Sequence, residues 1–246
     1  MIVSQFNYLQ FKNLTAIPEV VHGIFTRKGG VSVAPYDSMN LSNNVGDNPA
    51  AVEENKKRIL KTMGLLVSKS VVQTHSRTIH IVDTDFDETL EGDAMITQNP
   101  NILLLIKTAD CQPVLLVDTK NLWVAAIHSG WRGSVQNIIG VTVEKMVAMG
   151  ANPKHILAGI GPSLGPCCAE FINYKKELPE YMWPFSSKPN YFDFWKISKK
   201  QLCDSGILAN NIEISNMCTC CQPELFYSYR KKKISGRFAS VIGIRS

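Results

Sequence analysis

The order of apolar and polar positions divides the chain into short strands and a few amphipathic helices, and its centre lies between Lys107 and Gly133. There two apolar runs, 113–117 and 122–127, flank the polar Asp118-Thr119-Lys120-Asn121, which is the pattern of a β-hairpin. Closed symmetrically about Thr119 and Lys120, that hairpin pairs Val117 with Leu122 and sets Cys111 opposite His128. Directly opposed residues of an antiparallel pair project to one face, with Cβ atoms about 4.5–5.5 Å apart. A thiol and an imidazole placed together this way serve either as metal ligands or as nucleophile and base.

Other segments follow the same logic. Residues 20–26, 70–75, 78–82, 102–106, 156–160 and 237–244 read as strands. A helix begins at Pro49, capped by Asp47 or Asn48, shows an apolar face of Val52, Ile59, Leu60 and Met63, and ends at Gly64, which suits a C-terminal cap. A second helix spans 134–149 up to Gly150, weakened by Gly140, and a third spans 198–203 up to Gly206. Residues 178–193 read as irregular. With no tandem repeat, low-complexity stretch or linker, residues 1–246 form one intimately mixed domain.

Composition narrows the class. A chain of 246 residues, 45% hydrophobic and 19% charged, buries a substantial core. No apolar run approaches the ~20 residues needed to cross a bilayer, and the start lacks a basic stretch followed by an apolar core. A cytoplasmic protein without a membrane partner is expected. The net charge is +5, part of it from the run Arg230-Lys231-Lys232-Lys233. That run reads as a solvated turn, and without interleaved aromatics no nucleic-acid partner is expected. Seven cysteines cannot all pair within the chain, so reduced thiols or ligands are expected rather than disulfides. Cys218 and Cys221 form a C-x₂-C pair, and Cys167-Cys168 could add sulfur. Adjacent cysteines make poor tetrahedral ligands and a second C-x₂-C is missing, so these are read as core or loop thiols.

Among five histidines, His75 is the best third partner for Cys111 and His128, because it closes a strand where a loop begins. Spacings of 36 and then 17 residues suit ligands arriving from separate strand ends. A zinc site of two nitrogens and one sulfur with an open position is one reading. A metal-free reading has Cys111 as thiolate nucleophile, His128 as base and Asp110 or Asp93 as orienter; buried core histidines and an inert thiol are the bland one. The loop Arg27-Lys28-Gly29-Gly30 either cradles an anion or is a tight turn. Arg132 sits at a helix N-terminus, which favours anions.

Several stretches in chain order resemble one family: H-G-I-F-T-R-K-G-G-V-S (22–32), Q-T-H-S (73–76), D-A-M-I-T (93–97), K-T-A-D-C-Q-P-V-L-L (107–116), A-A-I-H-S-G-W-R-G (125–133), G-I-G-P-S-L-G-P-C-C (159–168) and F-Y-S-Y-R (226–230). The chain looks like the YfiH-type family of laccase-domain proteins, labelled polyphenol oxidase, purine nucleoside phosphorylase and peptidoglycan editing factor. The resemblance implies an α+β fold, a single compact mixed α/β sandwich. It implies one zinc, replaceable by copper, on His75, Cys111 and His128. It also implies phosphorolysis of adenosine, inosine, guanosine and methylthioadenosine, and deamination of adenosine, so purine nucleosides and phosphate are the expected partners of a monomer or weak homodimer. Arg27, Asn40 and Arg58 match motif residues near the family's pocket and join Arg132 as substrate-binding candidates. The alternatives are an amidase that edits a cytoplasmic peptidoglycan precursor and a copper-dependent polyphenol oxidase. A multicopper laccase fails on arithmetic, since a blue-copper centre takes two histidines and a cysteine and too few imidazoles remain for a three-copper cluster.

Overall fold

The longest apolar strands are buried on both faces, which requires cover on two sides. The computed structural model, which describes residues 1–3 and 8–245, shows how that cover is arranged. One six-stranded sheet runs in the order Ile2–Val3, Tyr8–Gln10, Val20–Phe25, Phe238–Ile244, Ile102–Thr108, Val67–Lys69. The second runs Ile212–Ile214, Ile156–Ile160, Gln112–Asp118, Val124–Ser129, Ala94–Thr97, Ile79–Ile81. Alternate residues sort into different cores. Ile24, Leu104, Ile106, Leu115, Val117, Val124 and Ala126 belong to one cluster that fills the space between the sheets. Val21, Leu103, Leu105 and Val241 face outward onto Ile59 and Met63 of the helix Pro49–Met63. On the other side Val114, Leu116, Ala125 and Ile127 pack against Ile138, Ile139, Val143 and Met146 of the helix Ile138–Ala148. The expected α+β sandwich is therefore a four-layer stack, helix–sheet–sheet–helix.

The first helix follows its sequence signals. Asn48 is the cap, its side chain accepting the Ala50 N–H, Pro49 opens the helix, and Gly64 closes it at φ 70°. The strand Ile156–Ile160 matches expectation, and those at 20–26 and 237–244 shorten by one residue each, to Val20–Phe25 and Phe238–Ile244.

Five expectations change. The hairpin closes two residues later than a symmetric turn allows: Val117 pairs with Val124 and Pro113, not Cys111, lies opposite His128. The cause is a wider loop, in which the Asp118 carboxylate accepts the Lys120 N–H and the Asn121 side chain, and Leu122 takes a left-handed φ of 57°. A shift of two preserves side-chain parity, so Cys111 and His128 keep a common face, the one toward the inter-sheet core. The helix expected at 134–149 is two helices, Trp131–Val135 and Ile138–Ala148, broken where Asn137 turns left-handed and caps the second through the Gly140 N–H. A Cβ on residue 140 would stand 2.2 Å from the Asn137 amide, which explains the glycine. Finally, no strand forms at 70–75. Backbone pairing is confined to one parallel bridge between Val72 and Glu91, and Gln73 binds both the N–H and the carbonyl of Lys107 through its side chain (2.9 and 2.8 Å). The segment 178–193 holds a 3₁₀ helix, Glu180–Phe185, and a two-stranded ribbon, and the helix expected at 198–203 runs over Phe194–Asp204.

Candidate metal centre

Asp93 sits at the start of the strand Ala94–Thr97 with no exposed surface. Its Oδ1 accepts the His75 backbone N–H at 3.1 Å, and its Oδ2 accepts the backbone N–H of Ser76 at 2.6 Å and the Ser76 hydroxyl at 2.8 Å. Those bonds hold His75 at φ 61°, a conformation that a residue with a Cβ rarely adopts unsupported. The same Oδ1 meets His128 Nδ1 at 2.7 Å. Nδ1 thus carries a proton toward the carboxylate, and Nε2 is the nitrogen turned toward Cys111 and His75. Cys111 follows Asp110, which is itself left-handed at φ 93°, and enters just before the strand Gln112–Asp118.

The three side chains converge. Cys111 Sγ lies 3.7 Å from His75 Nε2, the two imidazoles meet edge to face at 4.9 Å between centroids, and one ligand atom from each residue falls within 4.8 Å of the others. Gly130 makes this possible: a Cβ there would come within 2.7 Å of His75 Cδ2 and 3.0 Å of Cys111 Sγ. Desolvation alone would raise the Cys111 thiol, yet the charge of His128 and hydrogen bonds from both histidines lower it to about 6. Desolvation would likewise lower His128, but the Cys111 charge and the Asp93 hydrogen bond carry it up to about 9. Two nitrogens and a sulfur that ionises near neutrality, one imidazole fixed by a buried carboxylate, form a donor set that fits a divalent metal with a carboxylate–histidine support.

Two cavities meet at Cys111. One, about 330 Å³, has apolar walls that include Trp131, Leu164, Phe171 and Phe194, with Asp110, Arg230 and Lys233 at polar positions. The other, about 500 Å³, is lined by His75, His128, Gln73, Glu88 and the half-buried cations Lys107 and Arg237.

The other expected binding residues stand elsewhere. Arg27 bonds the Asp37 side chain and carbonyl and the Pro223 carbonyl, and stacks 4.7 Å above Tyr227. Asn40 is fully buried between Asp47, Ser42 and the Arg237 N–H. Arg58 is exposed and bonds Glu54 and the Gly29 carbonyl. Arg132 is exposed and lies on its neighbour Trp131 at 4.4 Å. None of the four lines either cavity. Beside the Gly29-Gly30 loop, the Gly30 N–H binds Ser38 and the Val31 N–H binds Asn55. Of the two orienter candidates, Asp93 takes that position. Asp110 instead accepts the Thr219 hydroxyl at 2.7 Å and the Arg230 N–H at 2.6 Å. Sequence reasoning missed Lys107 and Arg237. Lys107 opens the K-T-A-D-C motif, so adjacency to Cys111 was its available signal; Arg237 had only the local stretch S-G-R (235–237).

Comparison with known proteins agrees with this architecture. Residues 21–245 match the family described as multi-copper polyphenol oxidoreductase laccase. A purine nucleoside phosphorylase of Pseudomonas aeruginosa is 34% identical over 232 residues, covering 90% of this chain and 92% of that protein. Purine nucleoside phosphorylase YfiH of Escherichia coli is 34% identical over 229 residues, covering 88% of this chain and 90% of its own. The crystal structure of a Bacillus licheniformis hypothetical protein YfiH superposes with a TM-score of 0.91 at 27% identity, over 99% of this chain and 98% of that one. The chain belongs to the laccase-like YfiH family.

Proposed function

We propose that the chain is a zinc-dependent purine nucleoside phosphorylase whose one site also deaminates adenosine. The observation that carries this reading is the position of His75, Cys111 and His128 where an aromatic cavity meets a cationic one. The relatives named purine nucleoside phosphorylases support the substrate class.

His75, Cys111 and His128 would hold the ion, which when bound supplies a Lewis acid at the junction. Asp93 keeps the proton on His128 Nδ1 and fixes the ring. The apolar cavity takes the planar base between Trp131, Phe171 and Phe194, and excludes water from it. Lys107 and Arg237 attract phosphate into the other lobe, where a charge-assisted contact is stronger than in bulk water. In phosphorolysis a phosphate oxygen forms the bond to the anomeric carbon, the glycosidic bond breaks, and the base leaves with its electron pair and a proton. In deamination water replaces the exocyclic amine, released as ammonia. Arg27, Asn40, Arg58 and Arg132 act structurally in this reading. Two further histidines are already engaged and unavailable to a multicopper centre: His22 Nε2 accepts the Phe11 N–H, and His80 Nε2 is bonded to the Glu91 carbonyl.

Purified protein incubated with inosine or adenosine, with and without phosphate, tests the reading. Free base with ribose 1-phosphate should form only when phosphate is present, and inosine should form from adenosine without it. Absence of free base under every condition would overturn it.

A further inference from the structure

A second group of sulfurs lies apart from the first site. Cys167, Cys168, Cys218 and Cys221 place their Sγ atoms within 4.8 Å of one another. Cys221 is 3.5 Å from Cys167 and 3.5 Å from Cys168. The edge of a tetrahedron of sulfurs around zinc is about 3.8 Å for a Zn–S bond of about 2.3 Å. A disulfide selects one partner at about 2.05 Å, whereas Cys221 stands equally close to two. We infer that these four cysteines bind a second zinc ion, a closed structural site of four thiolates with no position for substrate.

The local fold removes the objection to adjacent cysteines. Cys168 N–H and Ala169 N–H both bond the Gly165 carbonyl at 2.9 Å, so 165–169 is a helical turn. Successive side chains there diverge by about 100° rather than the near 180° of a strand, and two neighbours can reach one ion. The C-x₂-C segment is a turn as well, closed by Gln222 N–H on the Cys218 carbonyl at 3.1 Å. A parallel bridge between Ser163 and Cys218 joins the two turns. Backbone N–H groups of Gly165, at 3.3 Å, and Cys221 point at the Cys218 sulfur, an arrangement that stabilises a thiolate. Gly165 must lack a side chain, since a Cβ there would stand 2.8 Å from Trp195 and 3.1 Å from Cys218 Cβ. Cys167 and Cys221 are exposed, which leaves the ion a path of entry.

Binding displaces the thiol protons to solvent and cross-links two loops that wall the apolar cavity. Ser163 and Leu164 line it directly. Thr219, inside the C-x₂-C turn, carries the constraint to Asp110 at 2.7 Å, next to Cys111.

Metal analysis of protein purified from zinc-replete cells tests the inference independently of the proposed reaction. Wild type should hold about two zinc ions, Cys221→Ser and Cys167→Ser about one each, and Cys111→Ala about one. Cobalt-substituted Cys111→Ala should keep the intense sulfur-to-cobalt absorption of a tetrathiolate site. Cobalt-loaded Cys221→Ser should lose it. If the Cys111 centre is wrong and this one right, Cys111→Ala retains wild-type zinc while Cys221→Ser loses it. Zinc content unchanged in both serine variants would overturn the second site. So would wild-type protein that resists alkylation and runs about 2 Da light for a disulfide. Should a serine variant fail to fold, the cobalt spectrum of Cys111→Ala decides alone, and absence of the tetrathiolate band overturns the inference.

Discussion

Asp93 and His128 are joined at 2.7 Å, Oδ1 to Nδ1, and the same oxygen accepts the backbone N–H of His75 at 3.1 Å. One buried carboxylate thus fixes the ring of one expected ligand and the backbone of another. Asp93→Asn keeps the shape but puts an N–H where a lone pair is required by His128, His75 or Ser76. Metal affinity should fall about 10- to 100-fold, as read by competition with a chromogenic chelator, while the circular dichroism of the variant stays native. Unchanged affinity would mean that Asp93 serves the fold alone.

Gly130 supplies a steric test. Its substitution by alanine drives a methyl group to 2.7 Å from His75 and 3.0 Å from Cys111, distances at which one ligand must move. Zinc retained after dialysis should drop to a small fraction of wild type in Gly130→Ala. Stability of the metal-free protein should change little, because Gly130 lies at φ −74°, where alanine is comfortable. Full zinc occupancy would show that the triad tolerates a displacement the geometry forbids.

Lys107 reports on the cationic cavity. Burial lowers its ammonium from the usual range, and the charge of Glu88 pulls the other way. Lys107→Met keeps the stem that packs along the strand and deletes the charge. The KM for phosphate should rise about tenfold or more, the worth of a hydrogen bond to a charged group, with the KM for inosine nearly unchanged. An equal rise in both would place phosphate elsewhere.

Sequence alone displayed much of this site, for a physical reason. Parity along a strand is robust, so the wrong hairpin register still put Cys111 and His128 on one face. His75 does converge with Cys111 and His128, but not from a strand end: Gln73 bridges to Lys107 and Asp93 bends the chain at His75. Long-range polar contacts leave no periodic trace, so the sequence offered Asp93 only as one of two orienter candidates and did not single out Lys107 or Arg237. The same holds for the burial of Asn40 and the pairing of Arg27 with Asp37, whereas Glu54 and Arg58 pair at i,i+4 on one helix. The convergence of Cys167, Cys168, Cys218 and Cys221 was not legible either, because it depends on the turn that begins at Gly165.

A different histidine should govern acid stability. His22 lies 1% exposed between the sheets, accepts the Phe11 N–H on Nε2 at 2.9 Å, and has no partner on Nδ1 among the described residues. Burial lowers it to about 4, against the pull of Glu213. Above pH ~6.5 the ring is neutral in both the folded and the unfolded chain, so it contributes no pH dependence there. As the pH falls from ~6.5 to about 4, the unfolded chain takes up a proton that the folded chain refuses, and stability drops with each step. Below about 4 both states are protonated and the slope vanishes. The full loss is about 3 kcal/mol at ~1.4 kcal/mol per pKa unit. His22→Gln keeps an acceptor for Phe11 and removes the titration. Between pH 7 and pH 4.5, urea unfolding should show the wild type losing about 2 kcal/mol more than the variant, even if the variant starts lower at neutral pH. Other groups titrate in both proteins and cancel in the difference. Parallel losses in the two would show that His22 is protonated in the folded state at ordinary acidity.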